Sequence, residues 1–167
     1  MQLNIKSIKR EGQLEFDETV RLPRIAREDV DIADVGPVHV KGTATWADPL
    51  LMVEGEINTM ITYICSRCLT HFDRPLTTSV SVTYTTDDVQ ADDEIKRAPD
   101  DVLDLTSDLE ESIFLAVDDK PLCRKDCKGL CPECGGNRNE QTCSCDTRKV
   151  DPRLAALKDL LSDDDSE

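Results

Sequence analysis

The chain of 167 residues is short of aromatics, which make up 4% of it: one Trp, two Tyr and three Phe. Those six, Phe16, Trp46, Tyr63, Phe72, Tyr84 and Phe114, do not supply a row of base-stacking platforms, so a core must rest on Val, Ile and Leu. Long apolar runs are missing too. The longest, Ile113 to Val117, falls far below the ~20 residues of a membrane span, and the N-terminal MQLNIKSIKREGQ lacks the ~7–15-residue apolar stretch of a signal peptide. The expectation is a soluble, non-exported, cytoplasmic protein without a membrane partner. Positive charge is in deficit, with 20 Lys and Arg against 35 Asp and Glu and a net -15. A field of that sign repels polyphosphate and attracts basic partners. Signatures of catalysis are absent: HxE, HExxH, GxSxG, the P-loop and GxGxxG do not occur. Neither an enzyme nor a small-molecule substrate is expected.

What is there begins with alternation. Val38, Val40, Gly42, Ala44 and Trp46 alternate with more polar neighbours, and so do Leu51, Val53, Gly55 and Ile57 after a turn at Asp48-Pro49. Leu76, Thr78, Val80, Val82 and Tyr84 repeat the pattern, which predicts an antiparallel sheet with one buried face. Residues 2–8 read as another strand, and 12–22 as a short helix or a loop. Acidity is concentrated in residues 85–119, with thirteen acids, two bases and net -11. Within it, 86–104 has the composition of an acidic loop. A helix follows, with Ser107 and Glu110 as a capping box and Leu109, Ile113, Ala116 and Val117 as its apolar stripe. A second helix is predicted from Asp151 and Pro152, with Leu154, Leu157, Leu160 and Leu161 on one side and an acidic tail beyond. The organisation expected is therefore an α+β domain over 1–119, a cysteine-rich segment over 120–149, and a C-terminal helix and tail over 150–167. Its expected fold class is α+β, an antiparallel β-sheet, open or curled to a barrel-like form, with few helices and a C-terminal zinc-knuckle appendage.

Eight cysteines without an export signal point to metal ligation under reducing conditions rather than to disulfides. Cys65 and Cys68 form a Cys-x-x-Cys pair between two strands. Cys123, Cys127, Cys131, Cys134, Cys143 and Cys145 follow as a dense group. Cys131-Pro-Glu-Cys134-Gly-Gly has the form of a zinc knuckle, where glycine lets the backbone turn under the metal and aim N–H groups at sulfur. Four thiolates close one tetrahedral zinc site, so eight suit two. One zinc is expected on Cys131 and Cys134 plus two of Cys123, Cys127, Cys143 and Cys145. A second joins Cys65 and Cys68 to the remaining two, against the alternative that Cys65 and Cys68 are small core thiols. His39 and His71 read as structural histidines, with His71 the minority candidate for a substitute ligand.

Together these residues resemble the YceD-like family, the large ribosomal RNA subunit accumulation proteins of bacteria. The resemblance rests on CSRCL at Cys65 to Leu69, an acidic linker, a helix ending in LAV, CxxxCKGLCPECGGNxN from Cys123 to Asn139, CSC at Cys143 to Cys145, and DPRLAALKDLL at Asp151 to Leu161. It covers about two thirds of the chain, and Arg138 departs from it where the family has leucine. It implies a role in large-subunit biogenesis that supports 23S rRNA accumulation, and it carries no catalytic residue.

Three readings of that role differ in partner. An adaptor would use the acidic segment, including Asp87, Asp88, Asp92, Asp93 and Glu94, to engage a basic large-subunit ribosomal protein or a pre-50S particle. Direct rRNA contact would use Lys120, Arg124, Lys125 and Lys128 around the knuckle. A redox-gated chaperone would release zinc on thiol oxidation. The net charge favours the adaptor.

Overall fold

The computed structural model describes residues 1–86 and 95–145. The chain divides into two compact units, Met1–Ser66 with Thr70–Lys125 and Arg67–Leu69 with Asp126–Glu167. The helix predicted on Leu154, Leu157, Leu160 and Leu161, and the acids Asp87, Asp88, Asp92, Asp93 and Glu94, lie outside the described residues.

The first unit is α+β. Its sheet follows the order β2-β4-β5-β6-β7, built from β2 (Gln13–Val20), β4 (Val38–Ala47), β5 (Leu50–Ile64), β6 (His71–Thr85) and β7 (Ile95–Arg97). β3 (Ile32–Val35) pairs with the far half of β5. The sheet stays open, with β2 and β7 as the ends of that order, so the barrel-like form is not realised among the described residues. β5 and β6 are each 15 residues long and pair without interruption from Leu50↔Thr85 to Ile64↔His71. At about 3.4 Å per residue this hairpin reaches ~50 Å, which carries the Cys65–Thr70 loop far from the turn at Asp48-Pro49. The alternation read from Val38 to Tyr84 is the burial pattern observed, with Val38, Val40, Ala44, Leu51, Val53, Ile57, Val80 and Tyr84 in the core.

Local chemistry changes three of the expected elements. Residues 2–8 are not one strand: β1 is Gln2–Asn4, and α1 runs over Ile5–Glu11. The Asn4 side chain accepts from the Ser7 N–H at 3.0 Å, Ile5 and Ile8 lie one turn apart and are buried, and Gly12 ends the helix at φ 78. Residues 13–20 form a strand, neither helix nor loop, because Leu14, Phe16 and Val20 turn to the core side; Phe16 lies opposite Gly42, where a Cβ would meet its ring at 2.7 Å. Inside the acidic segment, Ile95–Arg97 pairs parallel with β6, and β8 (Val102–Asp104) pairs with β1 through Leu3↔Leu103. Few apolar residues sufficed to order those strands.

α3 (Thr106–Phe114) buries Leu109 and Ile113 as expected, but its capping differs. Asp104 accepts from the Thr106 N–H at 2.9 Å, and Ser107 makes no capping bond. Glu110 is instead buried and takes Arg24 at 3.0 Å, between α3 and α2 (Ile25–Glu28). Asp108 is buried as well, accepting from Lys96 Nζ at 2.7 Å and from the Tyr84 hydroxyl at 2.5 Å. Burial and the adjacent carboxylate push the Tyr84 phenol far above its ordinary value.

Candidate metal centre

All eight cysteines are free thiols, and the fold gathers them into two groups of four. Cys65, Cys68, Cys123 and Cys127 form one; Cys131, Cys134, Cys143 and Cys145 form the other, and in each the four Sγ atoms lie within 4.8 Å of one another. A zinc tetrahedron with Zn–S bonds of ~2.3 Å has edges of about 3.8 Å, so small side-chain adjustments close either group on one ion. Neither histidine belongs to these groups: His71 is exposed at the start of β6, and His39 is exposed and beside Asp17 at 3.4 Å.

Two knuckles of the same construction present the first pair of each group. In one, the Cys131 N–H donates to Gly136 O at 2.8 Å, and Gly135 sits at φ 71. In the other, the Cys65 N–H donates to Thr70 O at 3.0 Å, and Leu69 sits at φ 58. Each thus joins the first cysteine to the residue five places on, and in each the residue after the second cysteine is left-handed. Leucine in place of glycine conceals the first knuckle from a motif reading.

Further partners hold the ligand loops. Arg67 lies between the Cys65 and Cys68 positions in the chain; its Nη1 donates to Cys127 O at 3.0 Å, and its carbonyl accepts from the Leu130 N–H at 3.0 Å. Asn139 Nδ2 donates to Cys127 Sγ at 3.4 Å and its Oδ1 accepts from the Lys128 N–H at 2.8 Å. Asn137 orients Asn139 in turn, accepting from its N–H at 3.0 Å and its Nδ2 at 2.8 Å. These asparagines were not singled out from the sequence; the N-x-N following a glycine pair was the available signal. Arg138, the departure from the family pattern, is exposed and uses its backbone N–H to bond Gly129 O at 3.0 Å, so the position needs no apolar side chain.

Two thiols of the second group are shifted in opposite directions. Backbone N–H groups of Cys134 and Glu133 draw Cys131 down to about 6, while hydrogen bonding to Cys134 and burial push Cys145 up to about 12. Ionising all four sulfurs so close together requires a compensating cation, and a divalent ion supplies it. The donor set therefore fits zinc.

Of the four bases proposed to contact RNA, Lys120, Arg124 and Lys125 line a cleft with Arg74, but Asp118 and Asp119 line it too and Asp118 pairs with Arg74. Lys128 lines a different cleft, with Arg138, Cys143 and Cys145. No helix among the described residues is long and apolar enough to cross a membrane.

Comparison with known proteins finds one matching family and several relatives. The family described as "Large ribosomal RNA subunit accumulation protein YceD" matches residues 53–161. An uncharacterised protein of Bacillus subtilis, YlbN, is 34% identical over 90% of this chain and 90% of its own. An uncharacterised protein of Mycobacterium tuberculosis is 31% identical over 90% of this chain and 75% of its own. A chloroplastic protein of Arabidopsis thaliana, named "Large ribosomal RNA subunit accumulation protein YCED homolog 1", is 22% identical over 82% of this chain and 52% of its own. No solved structure matches.

Proposed function

The chain belongs to the YceD family of large ribosomal RNA subunit accumulation proteins, and from that premise we propose a non-catalytic factor of large-subunit biogenesis that supports 23S rRNA accumulation in the cytoplasm. It carries two structural zinc ions, one on Cys65, Cys68, Cys123 and Cys127 and one on Cys131, Cys134, Cys143 and Cys145, and it serves as an adaptor for a basic large-subunit ribosomal protein or the pre-50S particle. The observation that supports this best is the sulfur set itself. Four thiolates complete a tetrahedron, which is the chemistry of a structural site, whereas hydrolytic zinc works through three protein ligands and a water. Each closed site adds about -2 to a chain already at -15, a field that favours a basic protein over rRNA as the direct partner.

Two measurements test the reading. Protein purified under reducing conditions should carry two zinc equivalents, and less than one would overturn the metal assignment. Affinity capture at moderate salt should retain a basic ribosomal protein after ribonuclease treatment; loss of every ribosomal component on digestion would make rRNA the direct partner instead.

A further inference from the structure

On the first unit, acidic side chains meet strongly exposed apolar surface between α2 and α3. α2, the turn after it and α3 enclose an open cleft of about 670 Å³, within the ~300–1,000 Å³ range of ligand clefts. Val30 in that turn is 87% exposed and Leu115 at the end of α3 is 83% exposed, with Phe114 half-buried beside it. Isolated apolar residues on a surface are ordinary, but here two of the most exposed in the described chain line one cleft. The cleft is also acidic. Glu28, Asp29, Glu110 and Glu111 line it with a single base, Arg24, and that guanidinium is already committed to Glu28 at 2.7 Å and Glu110 at 3.0 Å. The Asp29 carboxylate accepts a backbone N–H, from Asp31 at 2.9 Å, and Glu111 shares Lys96 at 3.1 Å.

We propose that the α2–α3 cleft is a docking surface for a short Lys/Arg-rich segment of a protein partner that carries an apolar anchor, seated on Val30, Phe114 and Leu115 with its cations toward Asp29 and Glu111. The proposal deepens the adaptor reading and rests on it for the partner's biological identity, while the cleft's chemistry stands by itself. Charge complementarity selects this occupant. Nucleic acid and anionic membrane would both meet four carboxylates, and a two-fold contact with a second copy would set the same carboxylates against themselves. Anchors in the apolar floor with a charged rim give a contact that forms faster at low salt and is held mainly by the anchors.

The test uses the full zinc-loaded chain and a fluorescent octapeptide with two central leucines flanked on each side by three lysines. Binding followed by anisotropy should be saturable and weaken with salt, and a control peptide with serines for the leucines should bind about tenfold more weakly. The double substitution Val30→Ser with Leu115→Ser should weaken the leucine peptide about tenfold and leave the melting temperature unchanged, since both side chains are exposed. A charge variant, Asp29→Asn with Glu111→Gln, should weaken both peptides about fivefold and flatten the salt dependence. Equal affinity of the double serine variant and the parent would overturn the proposal, as would self-association of the chain that the same variant abolishes. Capture from cells separates the two levels. If the parent retains a basic ribosomal protein and the double serine variant retains it equally, the cleft assignment fails and the adaptor reading stands. If the parent retains none while the peptide series behaves as expected, the adaptor reading fails and the cleft stands.

Discussion

The two thiol groups share their ligand chemistry and differ in their surroundings. In the first, Cys65, Cys68 and Cys127 are buried and Cys123 is half-buried; in the second only Cys131 is buried, while Cys134 and Cys143 are exposed. The first is fed by the end of a hairpin of two 15-residue strands and by a stretch where Ser66 bonds Pro121 O through both its N–H and its hydroxyl, at 2.9 and 3.1 Å. The second draws its ligands from a short turn and from Cys143 and Cys145, which follow a loop organised by Asn137. The difference teaches that identical tetrathiolate sets need not be equivalent. Burial excludes water and chelators from one, and an open rim admits them to the other.

The largest effect should come from breaking one group and then the other. Cys127→Ser and Cys134→Ser should each remove one zinc equivalent, but Cys127→Ser should cost about 3–5 kcal/mol, a fall in Tm of roughly 10 °C or more, because a buried site loses its ion among packed groups. Cys134→Ser should cost about a third of that, since its neighbours already face solvent. Elemental analysis with thermal melts checks both, and equal losses would erase the distinction between the groups. Chelation then sharpens it without mutation. With EDTA in excess, zinc should leave in two phases of equal amplitude, the faster by at least about tenfold, and Cys134→Ser should abolish the fast phase alone.

Much of this was readable from residue types and periodicity. Alternation along 38–84 located the three long strands, since one face of each had to be apolar, and the cysteine spacing located every thiol that the fold gathers. The pairing of Cys65 and Cys68 with Cys123 and Cys127 was not readable, because strand register and long-range closure decide it and neither leaves a local mark. Glu110 also misled: three residues after Ser107 it reads as half of a capping box, yet it is buried and paired with Arg24, and its neighbour Asp108 is likewise buried and satisfied by Lys96 and Tyr84. α1 was missed for a related reason. Leu3, Ile5 and the residues between them fit a strand, and only the Asn4 cap together with Ile8 one turn on distinguishes the helix.

The smallest expected effect tests whether the two knuckles are one construction. Leu69 holds φ 58 where Gly135 holds φ 71, and both follow the second cysteine of a Cys-x-x-Cys pair whose first N–H bonds the carbonyl five residues on. A left-handed leucine costs roughly 1–2 kcal/mol against glycine, offset by the ~0.4–1 kcal/mol that glycine loses through its freer unfolded chain. Leu69 is 61% exposed, so little packing is at stake in exchanging it. Leu69→Gly should therefore stabilise the zinc-loaded protein by about 0.5–1 kcal/mol, and Gly135→Leu should destabilise it by a similar amount, since a Cβ at Gly135 meets nothing within 4 Å and only the backbone strain enters. Denaturant unfolding at matched zinc occupancy resolves changes of that size only if the slopes agree between variants. Were Leu69→Gly to lower stability instead, the exposed leucine would be making a contact that outweighs its strain, and the first knuckle would be a site of its own kind, not a copy of the second.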